Sequence, residues 1–356
     1  MMTTVQESRR HREQARFVLT DSRSGAVWGV CGEVTGLFRE PDRTTYELFG
    51  WDPAGLEARG WLGNRVWLVP EDTALDAWLL EDAQSVGRHR GVDSLVLTGL
   101  DDYMGPPEGH RAPVRLHNEY RWLGSCNEFA RLLSAEHEAP ALILHGLAPA
   151  ELLRQALTAG IRRALDLGDA TLEMRDDQGI ALTEQRLRTE VRAWRPSSLG
   201  SHLIDLELDG ELEPVPEHAQ AIWNLWLTGP PDAEGSWASL DTRQREAWLD
   251  LVRERGCRLK HQERPLGHTY VLDGRHITEI PGLYLALGEA VQGPGGCFGG
   301  NLDALVDCLR GDFGYNAPAA LLWRQAAVAR EHLAHLLGSD GGLYDLFDLG
   351  RVRWVV

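Results

Sequence analysis

Residues 293–311 read Gly293-Pro294-Gly295-Gly296-Cys297-Phe298-Gly299-Gly300-Asn301-Leu302-Asp303-Ala304-Leu305-Val306-Asp307-Cys308-Leu309-Arg310-Gly311, a glycine-rich loop opening onto a short amphipathic segment. Asn301 is a good N-cap and Gly311 a good stop, which predicts a helix between them. Leu302, Leu305 and Leu309 fall at i, i+3 and i+7 and must face a core. Asp303 and Asp307 then lie one above the other on the outward side. A carboxylate in the first turn offsets the helix dipole by about 0.3–1 kcal/mol, which accounts for Asp303. Asp307 gains nothing from the dipole, and a like charge at i+4 costs about 0.2–0.5 kcal/mol. By spacing alone, the ordinary reading of such a pair is a solvated acidic face.

Upstream, Tyr270 to Ile277 reads as a short strand entering a turn, followed by a helix from about Pro281 to Val291. Before it, residues 213–267 open with Glu213-Pro214-Val215-Pro216 and carry two helix candidates separated by Gly229-Pro230-Pro231. In the second candidate Asp241 or Thr242 can cap. Ala247, Trp248, Leu251 and Val252 make one apolar stripe, and Gly256 can take the left-handed position that ends the helix. Trp223, Trp226, Trp237 and Trp248 cluster here as core, so the region is read as a helical connector.

Further upstream, Cys31-Gly32-Glu33 recurs as Cys126-Asn127-Glu128. Leu48, Gly50, Pro53 and Leu56 reappear, after one inserted residue, as Leu144, Gly146, Pro149 and Leu152. A strand, a glycine turn, an early-helix proline and a helix used twice would explain this, with Trp28 and Trp122 just upstream. The expected organisation is a disordered tail at 1–16, two α+β repeat units at 17–112 and 113–212, the connector, and a final domain at 268–356. Strand-like runs alternate with helical stretches such as Thr183 to Trp194.

The 356 residues carry 36 Lys+Arg against 53 Asp+Glu, a formal net charge of −17. That field repels phosphates, which argues against nucleic acid or an anionic membrane as a direct partner and favours a basic one. Cys31, Cys126, Cys257, Cys297 and Cys308 show no CxxC spacing and are odd in number, so a disulfide framework is not expected. Arg9, Arg10, Arg12 and Arg16 are followed by no apolar signal region, and no run of about 18 apolar residues occurs. A cytoplasmic protein is predicted.

The stretch Cys297 to Leu309 closely resembles the signature loop and helix of the barstar family, small inhibitors of barnase-type ribonucleases. Asp273-Gly274 with Ile277 resembles the family's first strand. Pro318-Ala319-Ala320-Leu321-Leu322-Trp323-Arg324-Gln325 resembles its second, running into a helix, and Arg351 to Val356 would be the third. The resemblance implies an α/β domain of three parallel strands covered by helices. It also implies a partner-binding set of Cys297, Phe298, Asn301, Leu302, Asp303, Val306, Asp307, Gly311 and Asp312, with Asp307 deepest in the partner's phosphate site. Cys297 stands where the family usually has Tyr and Val306 where it often has Trp, so two aromatic anchors are lost. A further acidic contact from the family's final helix has Asp345 and Asp348 as nearest substitutes.

The expected function is therefore an inhibitor of antitoxin or immunity type, directed at a small basic ribonuclease or related nuclease toxin, without enzyme activity or cofactor. Three other readings compete. One is a protein-binding scaffold with a barstar-like fold and another partner. A second is an enzyme using Asp303 and Asp307 as an acid/base pair, which needs a cleft. A third is a phosphate cradle in the glycine loop, which lacks the Gly-Lys-[Ser/Thr] that chemistry requires. His332 and His335 beside Glu331 lack a third metal ligand in the sequence, and the HExxH and GxSxG patterns are missing.

Overall fold

A computed structural model describes residues 15–355 except 41, 56–58, 89–92, 102–104, 108, 119–120, 133–139, 159–164, 177, 213–214, 312 and 335–351. Its first half is built from β1 (Phe17–Asp21), β2 (Val27–Cys31), β3 (Glu33–Thr35), β4 (Thr44–Phe49), β5 (Asp52–Pro53), β6 (Gly60–Pro70), β7 (Trp78–Gly87) and β8 (Ser94–Asp101). Next come β9 (Val114–His117), β10 (Trp122–Cys126), β11 (Glu128–Leu132), β12 (Leu142–Pro149), helix α1 (Glu151–Thr158), β13 (Leu165–Arg175), β14 (Ala181–Pro196) and β15 (Ile204–Leu212).

These strands make two antiparallel sheets. One runs β15-β14-β13-β1-β2-β12-β3 and closes because β12 also pairs with β15. The other runs β11-β4-β8-β7-β6-β9-β10-β5. It closes because β4 and β5 are separated only by Gly50 and Trp51, so a nearly continuous stretch pairs with β8 and β11 at one end and β10 at the other. Closure leaves no long free edge and turns alternate side chains into a filled interior. Leu19, Leu144, Leu172, Leu182 and Leu206 are fully or almost fully buried in the first. Tyr46, Leu48, Leu68, Leu80, Leu97, Leu116 and Phe129 are so in the second. The elements β4–β11 form one compact unit; β1–β3, β12–β15 and the elements after β15 belong to the other.

The pairings correspond position by position. Phe17 faces Cys31 and Leu19 faces Gly29 in one sheet; Val114 faces Cys126 and Leu116 faces Gly124 in the other. Val34 faces Leu144, and Phe129 faces Leu48. Gly29 lies opposite Pro149, and Gly124 opposite Pro53. At Gly124 a side chain would strike the neighbouring backbone, its Cβ standing 2.5 Å from the Asp52 carbonyl, whereas at Gly29 a Cβ 2.9 Å from Leu147 would require that side chain to shift.

The expected division at 112/113 is not how the strands pair. β1–β3 close a sheet with β12–β15, while β4–β8 close one with β9–β11, so each sheet takes strands from both sides of that boundary. Nor is 17–112 a mixed unit: its described residues contain no helix, and Pro53 lies in β5 rather than entering one. Thr183 to Trp194, expected as helix, lies within β14, where buried Leu187, Thr189 and Val191 alternate with exposed neighbours at period two. The expected tail falls outside the described residues up to residue 14.

The connector holds α2 (Glu217–Trp226) and α3 (Thr242–Arg258). Asp241 caps α3 in a reciprocal box with Gln244. Gly256 does not end it; α3 runs on to Arg258 with Gly256 in the helical body. The last segment contains β16 (Thr269–Asp273), α4 (Ile280–Gln292), α5 (Leu302–Leu309), β17 (Ala319–Arg324), α6 (Ala326–His332) and β18 (Val352–Val355). β16, β17 and β18 form a parallel sheet in that order. Among the described residues no helix is long and apolar enough to cross a membrane.

Candidate functional site

Helix α4 is almost wholly buried, from Pro281 through Glu289 and at Val291, and it supports the loop that follows. Gln292 at its end fixes that loop from both sides. Its Oε1 accepts from the Cys297 N–H at 3.0 Å, and its Nε2 donates to the Phe313 carbonyl at 3.1 Å. The loop ends at Asn301, whose Oδ1 accepts from the Ala304 N–H at 2.7 Å, capping α5.

Leu305, Cys308 and Leu309 face inward from α5 and Leu302 is half-buried. This orientation carries Asp303 and Asp307 outward, both exposed. Asp307 pairs with Arg310 at 3.1 Å, the two side chains 68% and 75% exposed. A helical pair of that exposure contributes about 0.3–0.5 kcal/mol, which leaves the carboxylate available to a stronger cation. Among the described residues no cation pairs with Asp303. Asn301, Asp303 and Asp307 therefore share one open surface, with Val306 half-buried beside it.

Other members of the expected set are placed differently. Phe298 is a core residue, 2% exposed, with its ring 5.9 Å from that of Tyr315. Its ring anchors the loop in the core rather than facing outward with Asp303 and Asp307. Cys297 is half-buried; its thiol donates to the Gly299 carbonyl at 3.4 Å, and burial pushes its pKa up to about 12. Cys308 beneath α5 is likewise pushed up to about 11, burial again the leading cause. Neither is poised as a nucleophile. Gly311 takes a positive φ of 121° just after the helix. Asp312, Asp345, Asp348 and His335 lie outside the described residues. No group of three or more metal-ligating side chains occurs among the described residues.

Residues 267–339 match the family model described as barstar, the barnase inhibitor. The C-terminal region matches the barstar family. The barstar-like region spans about a fifth of the chain, and the parallel strands β16 and β17 with the loop and α5 fall inside it. The matched family is one of inhibitors rather than catalysts. No curated protein and no solved structure matches the chain.

Sequence reasoning missed the contribution of the connector to the barstar-like region. Arg245 on α3 donates to Glu279 Oε1 at 2.6 Å and to the Ala238 carbonyl at 2.6 Å, and both ion-pair side chains are largely buried. Glu289 on α4, 8% exposed, accepts from the Gly235 N–H at 2.8 Å, and burial pushes its pKa up to about 7. The available signal was Gly256 within an otherwise uninterrupted helical pattern, a residue that marks close packing when it does not mark an end.

Proposed function

We propose that the barstar-like region is a protein inhibitor of antitoxin or immunity type, acting in the cytoplasm. It blocks the active site of a small basic ribonuclease or related nuclease toxin by placing Asp303 and Asp307 where substrate phosphate would lie. The observation that supports this is two outward carboxylates, one turn apart on a capped helix, in a segment matching the barnase-inhibitor family. At about 4 Å, opposite unit charges interact by about 4 kcal/mol at an effective dielectric of 20, so two aimed carboxylates hold a cationic site once water is expelled. The net charge of −17 adds long-range steering towards a basic partner.

The test is inhibition of barnase by the full chain. Asp307→Ala weakens it tens of fold or more, and added salt slows association; equal inhibition by variant and parent rejects the proposal. A second reading, the same fold directed at a partner that is not a ribonuclease, is favoured by the burial of Phe298, which removes one loop contact. Undiminished barnase activity at saturating chain concentration selects it.

A further inference from the structure

We infer that α3 is a built-in cover on the loop 293–300, so that only the outward face of α5 is left open to a basic partner. The inference rests on reading that face as the partner surface. Three loop positions meet the connector in succession. A Cβ at Gly295 would stand 2.7 Å from the Trp226 ring and 2.9 Å from Pro231. One at Gly256 would stand 3.0 Å from the Cys297 Cβ, and one at Gly300 would stand 2.5 Å from Cδ of Arg253. Connector and loop therefore pack closely at residues 295, 297 and 300.

The side chains fit this arrangement. The family's usual Tyr is replaced at residue 297 by the smaller Cys, and the helix facing it has no side chain at Gly256. Bulk is missing from both partners where residue 297 meets α3. A large aromatic at 297 would need the volume through which α3 passes.

The cover is fastened at several points. The buried Arg245–Glu279 pair and the Glu289–Gly235 hydrogen bond tie the connector to both ends of α4. Parting the ion pair leaves buried charge uncompensated. Beyond α5 the chain also engages the following loop. The His261 ring lies 5.7 Å from that of Phe313, the Arg264 N–H donates to the Gly314 carbonyl at 3.3 Å, and Asn316 Nδ2 donates to the Arg264 carbonyl at 2.8 Å.

Between these contacts Asn301, Asp303, Asp307 and Arg310 remain exposed. The partner that fits is a basic protein reading one helix edge with two carboxylates a turn apart. One whose cleft must receive the whole loop does not fit.

Alkylation of the native full chain by iodoacetamide, mapped by mass spectrometry, tests the cover without any partner. Cys257, exposed on α3, is the internal reference. In the parent, Cys297 reacts at least a hundredfold more slowly than Cys257. Gly256→Phe wedges α3 away and speeds Cys297 at least tenfold with Cys257 unchanged. Arg245→Met, which unfastens the helix without adding bulk, moves Cys297 in the same direction should the wedge not fold. Parent rates within a few fold of each other overturn the inference, as does a folded Gly256→Phe chain whose Cys297 stays slow. The labelling result stands whether or not barnase is inhibited, so failure of the binding proposal is a separate outcome.

Discussion

The loop 293–300 and helix α5 are consecutive in sequence and opposite in character. The loop turns Phe298 into the core and lies against α3, whereas α5 keeps two carboxylates in solvent. Both belong to the stretch that matches the barstar family, so family likeness alone does not fix which part is free to bind. What separates them is the surrounding chain. The loop has no side chains at most positions and is held by what packs on it; α5 has its own cap, its own apolar stripe and a polar face that is exposed among the described residues.

The largest effect that would break this contrast is at Phe298. As a buried anchor, Phe298→Ala should cost about 3–5 kcal/mol of stability, read by urea denaturation. A loss below about 1 kcal/mol would mean the ring is a surface group after all. The next is at Glu289. Its pKa is raised to about 7 from an ordinary 4.5, so the folded state binds its proton more tightly than the unfolded one. Stability from this group is fully present below the unfolded value and is lost as pH rises through about 7. Glu289→Gln keeps the acceptor for Gly235 and removes the charge. It should therefore flatten the fall in stability between about pH 5 and 8 and stabilise the chain at pH 8 by about 1–3 kcal/mol, at 1.36 kcal/mol per pKa unit. An unchanged pH profile would show that the carboxylate is hydrated.

The contrast also marks what could be read from the residues. Asn301, Asp303, Leu305, Asp307 and Leu309 were legible because a capped helix is determined locally, within one or two turns. The parallel pairing of β16 with β17 followed from a resemblance rather than from pattern. The segment Thr183 to Trp194 was misread because Glu, Arg and Gln favour helices, while the period-two signal rests on only a few residues, Leu187, Thr189 and Val191. The exchange of strands between the two closed sheets leaves no local mark. Val34 with Leu144 and Phe129 with Leu48 are matched across long sequence separations, and each local segment looks the same whichever sheet it joins. Gly256 was ambiguous in kind, because a helix-ending glycine and a close-packing glycine are the same letter. The helical run on to Arg258 and the position of Cys297 decide between them.

The smallest expected effect sharpens the contrast from the open side. Arg310→Ala removes the one cation paired with Asp307 among the described residues, an exposed i,i+3 contact, so stability should change by no more than about 0.5 kcal/mol. Its effect on a basic partner should have the opposite sign to that of Asp307→Ala. The substitution deletes a positive charge beside the carboxylate proposed to meet the partner, and association should quicken a few fold at low salt. The gain should fade as the screening length shortens to about 8 Å near physiological ionic strength. The two substitutions are also coupled, because Arg310 acts through the carboxylate it holds: in an Asp307→Ala background the gain from Arg310→Ala should shrink by the share due to that pair. A gain of equal size in both backgrounds would show that Arg310 repels the partner on its own and that its contact with Asp307 has no bearing on recognition.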